Sequence, residues 1–226
     1  AAAECDFVDP DFHLVHGVAV TWADVYGAEA VEGAVKHFFQ KQENPMSWQH
    51  ATPRARLLLH GAPGTGKTDA VRAIVTQALS LKLPEDKRFT IFAPKGSDIQ
   101  HTTKARDLFK AARERQPSIV FMDECEKTFC GDRATQRVND LKICFTDLAK
   151  DKADILVIMA ANKIEKIDSA IMDRMGDPIE LPLPSSEVRR QIIESKLKNN
   201  PFRLSEDEWN DVLTKTVGKS GRWLTE

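Results

Sequence analysis

The sequence predicts a three-layer α/β domain with a parallel sheet, followed by a small helical lid. Between residues 56 and 184, short apolar runs of strand length alternate with stretches of helical periodicity. This alternation is typical of a parallel sheet that is covered by helices on both faces. Two amphipathic stretches follow without any further strand pattern. We therefore divide the chain into an α/β domain at residues 1–184 and a partial, truncated lid at residues 185–226.

Each predicted element corresponds to one stretch of sequence. The predicted strands are the runs RLLLHG, FTIFAP, SIVFMDE, DILVIMAAN and IELPLP. The helical stretches between them are KTDAVRAIVTQALSLKL, KARDLFKAARER and RVNDLKICFTDLAKD. The prolines of LPLPSSE end the last strand, and Ser185 or Ser186 can cap the next helix. The predicted lid helices are SSEVRRQIIESKLKNN and SEDEWNDVLTKTV, and another helix begins in GRWLTE.

Composition narrows the class of protein. The chain has 226 residues and a net charge of -2, so overall charge gives no reason to expect nucleic acid as a partner. No apolar run approaches the roughly 20 residues that span a bilayer. The N-terminus does not resemble a signal peptide. The chain has four cysteines, Cys5, Cys125, Cys130 and Cys144, and no two of them form a CxxC pair. Reduced thiols in an intracellular protein are the simplest interpretation.

The stretch GAPGTGKTDA predicts a phosphate site. It matches G-x-x-x-x-G-K-[ST], and it lies between a predicted strand and a predicted helix, as this motif requires. Glycines let the backbone point several N–H groups at phosphate oxygens, and the helix N-terminus favours negative charge. Lys67 would reach the β- and γ-phosphates, and the Thr68 hydroxyl would ligate Mg²⁺. The residues predicted to bind the nucleotide are Gly61, Ala62, Pro63, Gly64, Thr65, Gly66, Lys67, Thr68 and Asp69.

A second element agrees with the loop. SIVFMDE places Asp123 and Glu124 at the C-terminal end of a buried strand, where ligands of parallel sheets bind. Asp123 is predicted to hold Mg²⁺ together with Thr68. Glu124 is then the candidate to orient and deprotonate the attacking water.

With both elements present, the chain resembles the AAA ATPases from about TWADVYG to GKSGRW. The stretch TWADVYG is similar to the family's W-x-D-V-x-G segment, whose backbone borders adenine. The resemblance thus implies an adenine pocket at Asp24, Val25 and Gly27. ILVIMAAN is similar to the family's fourth strand, and Asn162 matches its sensor asparagine, which hydrogen-bonds the water or the γ-phosphate.

The same resemblance implies how the site is completed. Arg174, in AIMDRMGDP, matches the segment that supplies an arginine finger to the neighbouring subunit. VGKSGRW is similar to the G-x-S-G segment of the lid, so Gly221 and Arg222 could reach the phosphates. The resemblance implies Mg-dependent ATP hydrolysis by a homo-oligomer, usually a hexameric ring, that remodels or disassembles protein substrates. It extends to the katanin, spastin and endosomal-sorting branch or to a mitochondrial subfamily, and so implies a cytoplasmic or, alternatively, mitochondrial location.

One stretch departs from the family pattern. Relatives that thread peptide carry an aromatic pore loop, whereas GSDIQHTTKARDLF is shorter and has no Trp, Tyr or Phe between Ile99 and Leu108. Two interpretations remain open on sequence grounds. The chain is either an assembling ATPase that remodels protein, or a nucleotide-gated scaffold that hydrolyses ATP slowly and does not thread peptide.

Overall fold

The computed structural model describes residues 7–49, 51–95, 102–129, 134–198, 200–201 and 203–226, without the side chains of residues 102, 103, 134 and 135. Cys5, Cys130 and residues 96–101 of the predicted pore-loop stretch lie outside the described residues. The strands are β1 (Leu14–Val15), β2 (Val18–Ala19), β3 (Arg56–His60), β4 (Thr90–Phe92), β5 (Ser118–Met122), β6 (Ile155–Ala161) and β7 (Ile179–Glu180). The helices are α1 (Glu29–Glu43), α2 (Lys67–Ser80), α3 (Thr102–Glu114), α4 (Cys125–Thr128), α5 (Ala134–Lys150), α6 (Ser169–Met175), α7 (Ser186–Leu197), α8 (Glu206–Lys215) and α9 (Gly221–Thr225).

The predicted parallel sheet is confirmed. Its strand order is β4-β5-β6-β3-β7, and every neighbouring pair runs parallel. Strands β5 and β6 are buried along their whole length, which explains why their sequences are apolar without alternation. In a parallel sheet all carboxyl ends lie at one edge, so the segments that follow β3, β5 and β6 come together there.

Two apolar cores cover the sheet, one on each face. On one face α1 and α2 pack against Leu57, Leu59 and Leu156. On the other face α3, α5 and α6 pack against Leu58 and Val157. Consecutive strand residues thus point to opposite cores, as the period of two in a strand requires. The three-layer α/β architecture predicted from the sequence is confirmed.

The helices after residue 185 form a smaller layer of their own. Ser185 caps α7 by accepting a hydrogen bond from the Val188 N–H at 3.3 Å. Arg189 is buried and ties α7 to α8, because its guanidinium donates to Thr216 Oγ1 at 3.1 Å and to the Leu213 carbonyl at 3.0 Å. It also donates to the Pro184 carbonyl at 3.0 Å, which joins this layer to the end of the sheet domain.

The structure adds several elements that sequence reasoning missed, among them the helices α1, α4 and α6 and a hairpin near the N-terminus. Residues 14–19 form a two-stranded hairpin with His16 and Gly17 at its turn, both at positive φ. A two-residue turn of this kind matches the right-handed twist of the flanking strands. Among the helices that the structure describes, none has the length and apolar composition needed to cross a bilayer.

Candidate functional site

A cavity of about 960 Å³ lies at the carboxyl edge of the sheet. Its size falls within the range of small-molecule and cofactor sites. The following sequence-predicted residues line it: Asp24, Val25, Pro63, Gly64, Thr65, Gly66, Lys67, Thr68, Asp69, Asp123, Glu124, Asn162, Gly221 and Arg222. The predicted residues Gly27, Gly61, Ala62 and Arg174 are not part of this lining. The fold therefore brings together, at one cavity, segments that are far apart in the sequence.

The loop after β3 is shaped by close backbone approaches. At Gly61, which has a φ of 148°, a Cβ atom would lie 2.1 Å from the Leu181 carbonyl oxygen. At Gly64, with a φ of 79°, a Cβ atom would lie 2.8 Å from Ser220 Oγ. Both positions require glycine, the first for packing against the segment after β7 and the second for contact with the lid.

Lys67 is held at the centre of this loop. Its ammonium donates to the carbonyl oxygens of Gly61 at 2.7 Å and Ala62 at 3.0 Å, and the residue is only 7% exposed. Burial lowers the pKa of the Lys67 amine, the carboxylates of Asp123 and Glu126 oppose that shift, and Arg222 adds to it. A cation with this little water around it is stabilised strongly by an anionic ligand.

The pair Thr68 and Asp123 fits a magnesium ion. Thr68 Oγ1 donates to Asp123 Oδ2 at 3.3 Å, so a hydroxyl from the first turn of α2 and a carboxylate from the end of β5 face the same point. Mg²⁺ prefers oxygen ligands and is usually bound by one or two carboxylates together with substrate phosphates. The donor set therefore fits a metal that also contacts a bound nucleotide.

Glu124 occupies an unusual backbone conformation. Its φ of 48° places a non-glycine residue in the left-handed region, which costs energy and occurs preferentially at functional sites. Its backbone N–H donates to Asp123 Oδ1 at 2.8 Å, and its side chain, which is 49% exposed, accepts from Lys127 at 2.7 Å. Exposed ion pairs of this kind are weak, so Glu124 can exchange Lys127 for another donor at small cost.

Asn162 follows β6 and contacts a residue that the motif did not indicate. Its backbone N–H and its Nδ2 both donate to Glu126 Oε1, at 3.2 Å and 3.0 Å. Glu126 lies on the first turn after β5 and is only 7% exposed. The amide of Asn162 is thus anchored on the side away from solvent while the residue still lines the cavity.

The lid reaches the loop through α9. The Arg222 N–H donates to the Gly64 carbonyl at 3.2 Å, and Ser220 caps α9 by accepting from the Trp223 N–H at 3.3 Å. A Cβ atom at Gly221 would lie 3.4 Å from the same carbonyl oxygen, so the backbone of Gly221 is also close to the loop. This contact places Arg222 at the cavity beside the Lys67 loop.

The outer end of the cavity combines predicted and unpredicted residues. Val25 lines it, and Asp24 lines it with a carboxylate that accepts from Thr21 N at 2.9 Å and Thr21 Oγ1 at 2.8 Å. Gly27 instead packs near Val188 of α7. The lining residues missed by sequence reasoning are Val15, His16, Tyr26, Arg72, Ile192, Ser195, Lys196, Thr225 and Glu226. Val15 and His16 belong to the hairpin, whose available signal in the sequence was the pair of short apolar runs, LV and VAV, on either side of the His-Gly pair.

Arg174 lies on α6, outside the cavity lining. Its Nη1 donates to the Ala170 carbonyl at 2.9 Å on its own helix. The carbonyl of Arg174 accepts from Arg56 Nη1 at 2.9 Å, and Arg56 Nη2 donates to the Phe145 carbonyl at 3.0 Å. Burial, and secondarily the nearby Arg174, lower the pKa of Arg56. The C-terminal end of α6 is therefore tied to β3, the strand that leads into the phosphate loop.

Comparisons with known proteins agree with this geometry. A sequence model of the "ATPase family associated with various cellular activities (AAA)" matches residues 57–183. The chain is 30% identical over 220 residues to vacuolar protein sorting-associated protein 4B of Mus musculus, covering 89% of this chain and 47% of that protein. It is 32% identical over 219 residues to proteasome-activating nucleotidase 2 of Haloferax volcanii, covering 90% and 52%.

A solved structure described as the FIGL-1 AAA domain in complex with ADP has the same fold. It superimposes with a TM-score of 0.73 at 24% identity, and the match covers 91% of this chain and 70% of that one. The chain spans about half the length of the curated relatives that it matches. The relative named for vacuolar protein sorting is consistent with the predicted branch of endosomal-sorting ATPases, and these relatives do not support the mitochondrial alternative. Its sequence, fold and phosphate loop together show that this chain belongs to the AAA family of ATPases.

Proposed function

We propose that this chain hydrolyses ATP with the help of magnesium, and that it does so in a ring of identical subunits that remodels or disassembles protein substrates. The observation that carries the proposal is the convergence of Thr68 and Asp123, 3.3 Å apart, beside Lys67 at the carboxyl edge of the sheet. A phosphate cradle, a metal-binding pair and a carboxylate base at one cavity are the parts that phosphoryl transfer needs.

Each residue has a distinct role in the proposed reaction. When bound, Mg-ATP supplies the transferable γ-phosphoryl group and a metal that neutralises charge on its oxygens. Lys67 and the backbone N–H groups of the loop bind the phosphates, and Thr68 and Asp123 hold the metal. Glu124 orients the attacking water and accepts its proton, because it lies next to the metal-binding Asp123 and its exposed ion pair with Lys127 is weak enough to exchange. Arg222 adds positive charge from the lid.

Assembly would complete the site. Among the described residues that line the cavity, Lys67 and Arg222 are the cations in contact with the loop at residues 61–68, whereas Arg72 is paired with Asp69. Charge on the departing phosphoryl group calls for a further cation. We propose that Arg174 supplies this charge to the neighbouring subunit, and that Arg56 holds the backbone of α6 in place for that role. A hexamer and a protein substrate are proposed from the family and from relatives named for vacuolar protein sorting and proteasome activation. An intracellular, cytoplasmic location is proposed on the same basis.

One observation favours the second candidate, a nucleotide-gated scaffold with weak hydrolysis. The Arg174 guanidinium donates to Ala170 on its own helix, so it must leave this partner to act on a neighbour. If it stays there, assembly would respond to ATP without accelerating its hydrolysis. The two candidates share the nucleotide site and differ in the rate at which it turns over.

The test is the ATPase rate per subunit as a function of protein concentration, for the natural chain and for Arg174→Ala. We expect the rate of the natural chain to rise through the concentration range of assembly, and the rate of Arg174→Ala to remain flat and about 10³-fold lower than the assembled maximum. Glu124→Gln is expected to reduce turnover about 10²- to 10⁴-fold while Mg-ATP still binds. A natural chain that assembles with ATP but whose rate stays flat and slow would favour the scaffold.

A further inference from the structure

Glu126 is a buried carboxylate that neither the phosphate motif nor the proposed proton transfer uses. It is the second glutamate of the stretch DECE, and its side chain turns inward from the first turn of α4. Oε1 accepts both the Nδ2 and the backbone N–H of Asn162. Oε2 is also buried and contacts no hydrogen-bond donor among the residues that the structure describes.

This arrangement costs folding free energy. A buried carboxylate with one oxygen lacking a donor loses hydration without full replacement. Two neutral N–H donors on the other oxygen offset only part of that cost. An apolar side chain at position 126 would avoid it, so the observed carboxylate requires an explanation beyond packing.

The direction of the hydrogen bonds between Asn162 and Glu126 explains why a carboxylate is present. A carboxylate oxygen accepts hydrogen bonds, so the amide group of Asn162 must turn its nitrogen towards Glu126. Its amide oxygen then lies on the other side of the group, and Asn162 lines the cavity beside Lys67 and Glu124. The group presented there is an acceptor, which suits a water hydrogen better than a phosphate oxygen.

We propose that Glu126 is a positioning residue that locks the amide of Asn162, so that the amide oxygen of Asn162 and the carboxylate of Glu124 together hold the attacking water. The inference rests on the proposed ATP hydrolysis and selects the water, rather than the γ-phosphate, as the partner of Asn162. Two acceptors on one water orient its lone pair towards the phosphorus, and loss of such orientation can cost about 10²-fold in rate.

Glu126 also acts on Lys67 through charge, since its carboxylate opposes the lowering of the Lys67 pKa by burial. Positioning and charge can be separated by substitution. Glu126→Gln keeps an acceptor oxygen for Asn162 and removes the charge, whereas Glu126→Met removes both. A positioning role predicts that only the second change slows the reaction strongly.

The experiment measures kcat and KM for Mg-ATP with the assembled natural chain, Glu126→Gln, Glu126→Met, Asn162→Ala and the double variant Glu126→Met/Asn162→Ala. We expect Glu126→Met to lower kcat about 10- to 100-fold with KM changed less than about 3-fold. Glu126→Gln should stay within about 3-fold of the natural chain. The double variant should be no slower than Asn162→Ala alone, because Glu126 acts through that amide.

A matched control is Asp140, which is 6% exposed on α5 and forms an ion pair with Arg106 away from the cavity. Asp140→Leu should lower the Tm without the fall in kcat. If Glu126→Met does not fold, a second set of variants exchanges the carboxylate and the amide between positions 126 and 162. Asn162→Asp alone should slow turnover because two carboxylates then face each other, and adding Glu126→Gln should restore it about 10-fold, since the amide now donates and an acceptor still faces the water.

Several results would overturn the inference. They are an unchanged kcat in Glu126→Met, a multiplicative loss in the double variant, a loss in Glu126→Gln equal to that in Glu126→Met, or no rescue of Asn162→Asp. Any of these with an active natural chain would overturn the role of Glu126 and leave the proposed function intact. A natural chain that binds Mg-ATP and never turns it over would overturn both.

Discussion

The phosphate end of the cavity, defined by the loop at residues 61–68 with Asp123 and Asn162, is built on the segments that come after the buried strands β3, β5 and β6. The outer end is formed by the hairpin at residues 14–19, the segment at residues 24–26 and the lid helices. At the phosphate end Lys67 is 7% exposed, and its partners are backbone atoms of the same loop. At the outer end His16, Lys196 and Glu226 are exposed. The first region is fixed by the sheet core, and the second is joined to it by a few contacts, such as Arg222 N–H to the Gly64 carbonyl.

This difference has a consequence for ligand binding. Groups held by a packed core need little reorganisation to bind a ligand, whereas elements joined by few contacts open at low cost. We therefore expect the triphosphate to supply most of the binding free energy. The lid and hairpin are expected to adjust affinity and to couple nucleotide binding to movement.

The largest expected effect compares one lysine from each end. Lys67→Met should raise the Kd for Mg-ATP about 10- to 100-fold, because hydrogen bonds from a buried ammonium to phosphate are lost. Lys196→Met removes the same charge from the exposed end and should change Kd less than about 3-fold. Fluorescence titration measures both. Equal losses would show that the two ends do not differ as described.

The next effect concerns the stability of the lid. Arg189→Met should lower the free energy of unfolding by about 2–3 kcal/mol, because acceptors on Thr216, Leu213 and Pro184 lose a buried donor. The neighbouring Arg190 is half-buried, pairs with Glu194 and Glu206, and lies over the Trp209 ring with its Cζ 5.0 Å from the ring centroid. Arg190→Met should therefore lower the free energy of unfolding by only about 1 kcal/mol. Urea unfolding, followed by tryptophan fluorescence, distinguishes them. Similar midpoints for the two variants would contradict the role of Arg189.

A smaller effect tests the contact between loop and lid. Gly64→Ala combines left-handed strain with a Cβ that would stand 2.8 Å from Ser220 Oγ and 3.0 Å from Arg222 Cβ. Gly218→Ala has a similar φ of 74° and meets nothing within 4 Å, so it carries strain alone. Gly64→Ala should therefore increase protease cleavage in the lid several-fold more than Gly218→Ala does. Equal cleavage of the two variants would argue that the lid does not rest on Gly64.

The smallest expected effect concerns the reactivity of two buried thiols, Cys125 and Cys144, which measures how rarely the core under the phosphate end opens. Burial raises the pKa of the Cys125 thiol, and burial likewise raises the pKa of Cys144 to about 11. Mass spectrometry after iodoacetamide treatment at pH 8 should find both thiols much less modified than in urea, because thiolate is the reactive form. The neutral thiol of Cys144 also adds stability below its ordinary pKa of 9.0, and this contribution is lost as pH rises through about 11. Rapid modification of native Cys125 would mean that this region opens readily.

The sequence predicted the phosphate end better than the outer end, for a physical reason. A phosphate loop needs glycines, a lysine and a hydroxyl at fixed local spacing, and buried parallel strands need continuous apolar runs, so both leave local patterns. The hairpin was missed because its strands have only two residues each. The bond from Arg56 to the Arg174 carbonyl joins residues 118 positions apart, and no local pattern records it. Glu126 was missed because sequence does not show that a carboxylate is buried.

The most direct measurement of the central claim is a calorimetric titration of the natural chain with Mg-ATP and, separately, with adenosine. If the loop at residues 61–68, Lys67 and the Thr68–Asp123 pair hold the triphosphate, Mg-ATP should bind at least about 100-fold more tightly than adenosine, a difference of about 2.7 kcal/mol. Equal affinities, or no heat of binding with Mg-ATP at millimolar concentration, would contradict the account.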